Sequence, residues 1–224
     1  MKQLFRVFIL LLINYYQSNA QHVMTIKPYG NMGNSAFIWT TYPDSIFAAW
    51  PEIKVNAWTW EGIPGINRSL IKFNLNLLPA NSTILSAKLS LYGNDGNPEN
   101  NSTLSGSNQC LIQRITSDWD PTTVTWNTQP NSDTVHEVVL PMSTSLYEDY
   151  TNRDVTSLIQ DLYNNPGIYK GLMLKLDTEL YFRRLVFKSA YQPDSAKSPT
   201  LIINYSVMGI DELNVNTSVQ NKFI

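Results

Sequence analysis

Two tryptophans sit two residues apart in Asn56-Ala57-Trp58-Thr59-Trp60. On an extended strand, residues at that spacing share a face, with their rings ~7 Å apart by the rise per residue. Flat apolar plates at such a separation take successive sugar rings, whose C–H faces are apolar and whose hydroxyls hydrogen-bond at the edges. Tryptophan is also a core former, so the same pair fits a buried face. Trp39 and Trp50 enlarge the cluster. Two basic pairs complete the candidate chemistry. Arg68 and Lys72 lie four apart opposite Ile71 and Phe73, and Arg184 and Lys188 lie four apart opposite Leu185 and Phe187. Outward cations of this kind hold uronate carboxylates by charge-assisted hydrogen bonds, or simply form a solvated face. Trp58, Trp60, Arg68, Lys72, Arg184 and Lys188 are therefore the candidate glycan contacts.

Catalytic constellations are scarce. The chain has no His-Glu-x-x-His, no Cys-x-x-Cys, no phosphate-cradling glycine loop and no Gly-x-Ser-x-Gly elbow. His22 and His136 are its only histidines and Cys110 its only cysteine. A multi-histidine metal centre or a Cys–His pair is thereby disfavoured. Cys110 alternates with Ile112 and reads as a small buried hydrophobe, with no internal disulfide. Asp118 and Asp120 flank Trp119 just before Pro121, where turn carboxylates accept backbone N–H bonds. Glu148 and Asp149 are neighbours and would leave a strand on opposite faces. Tyr181 with Arg183 and Arg184 is the nearest approach to a lyase set, and no catalytic residue is assigned. No cofactor is called for. The oxygen-rich loop Gly93–Asn101 would suit a structural calcium ion, yet it lacks EF-hand spacing and has the composition of any turn.

The elements that must position these residues are mostly strands. Of 224 residues, 43% are hydrophobic and 12% aromatic, which excludes a disordered chain, and only 15% are charged, which argues against long solvated helices. Period-two alternation predicts strands over Ala36–Thr40, Ile53–Trp60, Arg68–Leu75, Thr83–Tyr92, Gln109–Ser117, His136–Leu140, Tyr147–Val155, Gly171–Leu176, Tyr181–Ser189 and Thr200–Tyr205. Turn signals separate them at Gly62–Gly65, Gly93–Gly96, Asp120-Pro121 and Asn165–Gly167. One segment, Thr156–Asn164, repeats Leu158, Ile159 and Leu162 at helical spacing, with Thr156 as its cap. The fold class is all-β: a two-sheet sandwich of jelly-roll type with one short helix.

The ends carry different signals. Lys2 and Arg6, the apolar run Val7–Ile13 and Ser18-Asn19-Ala20 form a secretory signal over residues 1–20, cleaved before Gln21. Residues 21–205 form one domain, and 206–224 read as a linker-like tail. The expected location is secreted or extracellular, with periplasm or cell surface as alternatives. Without residues 1–20 the basic count falls from 16 to 14 against 18 acidic residues, a net charge near −4. A mildly acidic chain with no basic run does not suit nucleic acid, and no later segment suits a membrane. The partner implied is a polysaccharide.

Longer blocks add a resemblance. Asn56–Leu75 resembles the opening of the DNRLRE domain family, also described as carbohydrate-binding module family 96. Leu78–Tyr92, Trp119–Pro130, Asp154–Gln160, Gly171–Lys175, Phe187–Ser189 and Ser198–Tyr205 follow in the family's order. Glu148-Asp149-Tyr150 departs from it, standing where a Trp-rich approach to the helix is expected. The resemblance implies a β-sandwich of secreted bacterial or archaeal proteins that accompanies polysaccharide-degrading modules. It also implies a non-catalytic role and ligands that include alginate-like uronans. No site residue is carried over from it. Met208–Asn214 resembles the linker before the C-terminal sorting domain of Bacteroidetes type IX cargo. A structural or adhesive surface domain is the rival reading, and a lyase or glycosidase a more distant one.

Overall fold

The computed structural model describes residues 21–30, 33–95, 101–191 and 195–207. The segment read as an export signal, residues 96–100 of the oxygen-rich loop and residues 208–224 lie outside them, while Ser206 and Val207, read as the start of the tail, belong to the last strand. In chain order the elements are β1 (Gln21–Ile26), β2 (Gly33–Trp39), β3 (Phe47–Ala48), β4 (Glu52–Trp60), β5 (Ile63–Phe73), β6 (Ser82–Leu91), β7 (Cys110–Ile115), β8 (Ser132–Leu140), β9 (Tyr150–Asp154), α1 (Thr156–Asn164), β10 (Leu172–Leu176), β11 (Arg183–Lys188) and β12 (Thr200–Val207). Two antiparallel sheets form. One runs β1-β12-β6-β9, and the other β11-β4-β5-β10-β7-β8, with β2 on the second edge of β5 and β3 beside β2. This is the two-sheet sandwich that the alternation predicts. α1 spans the predicted residues and buries Leu158, Ile159 and Leu162 against the main core.

Differences from the predicted elements have local causes. Val155, not Thr156, occupies the N-cap of α1. The Asp154 carboxylate accepts from the Thr156 N–H at 3.0 Å, and the Thr156 hydroxyl hydrogen-bonds the backbone of Ala87 on β6. β5 begins at Ile63, inside the segment read as a turn. The β4–β5 turn is only Glu61-Gly62, both at positive φ (50° and 82°), which closes a two-residue hairpin. Residues 147–149 leave the strand predicted over Tyr147–Val155 because they form a loop. Its Ser143 is buried and accepts a 2.7 Å bond from the Asn108 amide. β1 was not predicted: it is an edge strand whose Val23 faces solvent, so little alternation marks it.

β5 organises the larger sheet. Residues 63–67 pair with β4 and residues 69–71 with β10 along one edge, while β2 pairs along the other. The sheet therefore forks at Arg68–Ser69. The Ser69 hydroxyl fills the fork, accepting from the Lys54 N–H at 3.0 Å and donating to its carbonyl at 2.9 Å. Ile66 and Ile71 have opposite parity, yet both pack on the main core, one on each side of the fork. The outer side of the lower half is covered too. Ala36, Ile38, Leu70, Ile115 and Met173 make a second core under Trp119, Val124 and Trp126 of the β7–β8 loop.

That second core is a packed one, so Leu70→Ala lowers the unfolding free energy by about 2–5 kcal/mol. The exposed Val23→Ala shifts it by no more than ~0.5 kcal/mol. Urea denaturation measures both.

Candidate functional site

The β4–β5 hairpin presents a face away from the main core. Ile53, Val55 and Ala57 of β4 point into the core. Alternation therefore sends Lys54, Asn56, Trp58 and Trp60 to the other side. Register extends this face across four strands: Arg184 stands opposite Asn56, Asn56 opposite Asn67, and Asn67 opposite Trp39. Residues directly opposite in an antiparallel pair share a face. Trp58, Trp60, Trp39 and Arg184 are all half-buried there.

The aromatic layer is tightly packed. Trp60 meets Trp39 at 4.5 Å between ring centroids, and Trp39 meets Tyr42 at 4.7 Å. Phe182, in the turn before β11, meets Trp58 in a T-shaped pair at 5.3 Å. Gly65, opposite Trp58, lies directly under the layer. A Cβ there would fall 2.2 Å from the Thr41 hydroxyl and 2.8 Å from both the Trp39 and Trp60 indoles.

Charge sits at one side. The Arg184 guanidinium lies 5.0 Å over the Trp58 ring and donates to the Asn101 side chain at 3.3 Å. Among the described residues no carboxylate forms an ion pair with it. Burial lowers its pKa, a sign of incomplete solvation. Lys54 is nearby. Burial lowers its pKa as well; Glu52, 3.5 Å away, opposes that shift and Arg184 adds to it. Beneath the indoles, Asn56 and Asn67 are 2% and 1% exposed. The Asn56 Oδ1, both amide atoms of Asn67, the Trp39 Nε1, the Thr41 Oγ1 and the Arg184 Nε have no protein partner. Such atoms cost about 1–3 kcal/mol each when left unsatisfied.

The six candidate residues do not share one surface. Trp58, Trp60 and Arg184 come together. Arg68 lies on the opposite face of β5 from Asn67, and its guanidinium is already used. It bonds both Glu179 oxygens at 2.7 and 3.0 Å and the Gln129 side chain at 2.9 Å, and it covers the Trp126 ring at 4.8 Å. Lys72 lies on that same outer side, 5.2 Å from the Trp119 ring. Both cations thus clamp the β7–β8 loop. Lys188 is 7% exposed and pairs with Asp95 at 2.6 Å. Asn56 and Lys54 could have been found by the same two-residue step that links Trp58 to Trp60. Asn67 and Phe182 depend on strand register and a turn, which carry no local sequence signal. Cys110 is buried, its thiol pKa pushed up by burial. Asp120 accepts the Thr122 N–H at 2.7 Å in its turn. Within the oxygen-rich loop, Asp95 is engaged by Lys188 and Lys197.

Gly65→Ala pushes against three side chains of the aromatic layer. It displaces the Trp39 and Trp60 rings, which a changed near-ultraviolet circular dichroism and a lower thermal midpoint report. A pH effect follows from Asp95, whose pKa the Lys188 and then the Lys197 hydrogen bonds hold at about 2, below the ordinary 3.8. A depressed carboxylate contributes stability above its unfolded pKa and loses it as pH falls through the folded one. Stability therefore declines between about pH 4 and pH 2. Asp95→Asn shows a shallower decline there in acid titrations followed by tryptophan fluorescence.

Among known families, residues 30–205 match the model of carbohydrate-binding module family 96. No curated protein matches the chain.

Proposed function

The chain belongs to carbohydrate-binding module family 96, and from that premise we propose that it is a secreted, non-catalytic module that binds an acidic polysaccharide through the Trp58–Arg184 face. The observation that carries this reading is the Arg184 guanidinium over the Trp58 indole, with no carboxylate ion-paired to it among the described residues. A guanidinium resting over an aromatic ring keeps its positive charge, and its terminal N–H groups can donate charge-assisted bonds to a carboxylate. Its partial burial strengthens those bonds relative to a solvated pair. A uronate supplies the carboxylate, and its ring C–H face supplies apolar surface for the indole edges of Trp58 and Trp60. Lys54 adds positive potential to the same face, so an anionic chain is favoured over a neutral one.

Family membership supports the carbohydrate class, and the unpaired cation supports the acidic subclass. The basic n-region, apolar run and small residues near Ala20 support export. The scarcity of histidine and the engagement of Asp120, Asp149 and Glu148 by backbone N–H groups support a binding rather than a hydrolytic role.

Affinity electrophoresis in gels containing alginate, polygalacturonate or neutral glucan tests the proposal. The wild-type domain is retarded by at least one uronan, and the retardation weakens as salt rises, since exposed charge contacts are screened over ~8–10 Å. Arg184→Ala and Trp58→Ala each lower the affinity by about tenfold or more while the domain stays folded, a loss near 1.4 kcal/mol. Arg68→Ala instead loosens the β7–β8 loop and leaves retardation unchanged at temperatures where the domain is folded. Migration unaffected by every uronan would refute the proposal.

A further inference from the structure

A second concave site lies away from the Trp58 face, between the turn after β5 and the segment after α1. It encloses about 420 Å³, within the ~300–1,000 Å³ of small-molecule sites. Lys72 and Asn34 stand directly opposite each other on β5 and β2, so their side chains share a face, and both line the cleft. Asn74, Asn76, Asp118, Tyr169 and Lys170 complete its polar wall. Two glycines bring that wall close. A Cβ on Gly33 would fall 2.0 Å from the Lys72 carbonyl, and one on Gly171 would fall 2.7 Å from the Ile71 carbonyl. Both segments therefore lie against the β5 backbone with no side chain between.

The charges in the cleft do not balance. Lys170 pairs with Asp118 at 3.2 Å and bonds the Pro166 carbonyl at 3.1 Å. Lys72 has the Trp119 ring, a 3.5 Å bond to the Trp119 carbonyl and a longer-range attraction to the Asp120 carboxylate. Among the described residues no carboxylate lies within ion-pair distance of it. Beside it, the Asn34 Oδ1 is buried with no partner. An ammonium short of an anion and an amide oxygen short of a donor, side by side in a cavity of this size, define their ligand. It carries a negative group and a hydroxyl.

We propose that this cleft is a second, independent binding site for one anionic sugar residue, a uronate or a sugar sulfate ester. Its anionic group faces the Lys72 ammonium, and a neighbouring hydroxyl donates to Asn34 Oδ1. A long anionic chain then has two sites on one domain, and a domain that engages both gains avidity without new contacts.

Chemical-shift mapping of the ¹⁵N-labelled domain with D-glucuronate, D-glucose 6-sulfate, D-glucose and sodium sulfate tests this. At least one sugar anion produces saturable shifts at the amides of Asn34, Lys72, Asn74 and Lys170, and glucose produces none. Glucuronate alone or the sulfate ester alone identifies which group the cleft takes. Lys72→Gln weakens that binding by about tenfold, the loss of one charge-assisted hydrogen bond. Should that variant fail to fold, Asn34→Ala carries the same expectation. Arg184→Ala leaves the cleft shifts unchanged, so failure at the Trp58 face and failure here are read separately. Absence of saturable shifts, equal shifts with glucose or with inorganic sulfate, or full binding by Lys72→Gln would overturn the proposal.

Discussion

β5 must be buried on both faces at once. Leu70 and Ile71 are adjacent and each fully buried, yet they enter different cores. This is possible only because the sandwich closes over one side of the strand and the β7–β8 loop closes over the other. The loop cannot lie there on apolar contact alone, since its own backbone needs partners. Arg68 and Lys72 hold it through the rings of Trp126 and Trp119, and the Trp119 indole donates to the Lys170 carbonyl at 3.0 Å. The upper half of β5 escapes this double burial. There β4 has parted from β10, and the side away from the core carries Trp58, Trp60 and Arg184.

A division of labour among cations follows. Arg68 is spent on Glu179, Gln129 and Trp126, and Lys188 on Asp95, so both contribute to the fold. Arg184 and Lys72 are less committed, one on each side of the large sheet, and each rests on a tryptophan. Stacking on an aromatic ring stabilises a cation without neutralising it. That leaves its charge available to an incoming anion, which a carboxylate partner would not.

Periodicity was a sufficient guide to most of the fold. Strict alternation in Ile53–Trp60 and the helical spacing of Leu158, Ile159 and Leu162 specified β4 and α1 nearly to the residue. Edge strand β1 and two-residue β3 escaped because neither has a sustained alternating face. The site was legible only in part. Alternation placed Trp58 beside Trp60 and sent Arg68 and Arg184 away from their apolar neighbours. It could not say that the fork at Ser69 leaves those two arginines on different surfaces. Nor could it show that the Lys188 ammonium folds back onto Asp95. The Trp119–Pro130 block, prominent in the sequence, belongs to loop closure over the second core.

The central claim is that the guanidinium stacked on Trp58 receives the acidic group of a glycan. A crystal structure of the domain with a uronan oligosaccharide tests it most directly. A sugar carboxylate is expected ~2.7–2.9 Å from the Arg184 guanidinium nitrogens, with the sugar ring against Trp58 or Trp60. An oligosaccharide seated elsewhere, with the Trp58–Arg184 face bare, would contradict it.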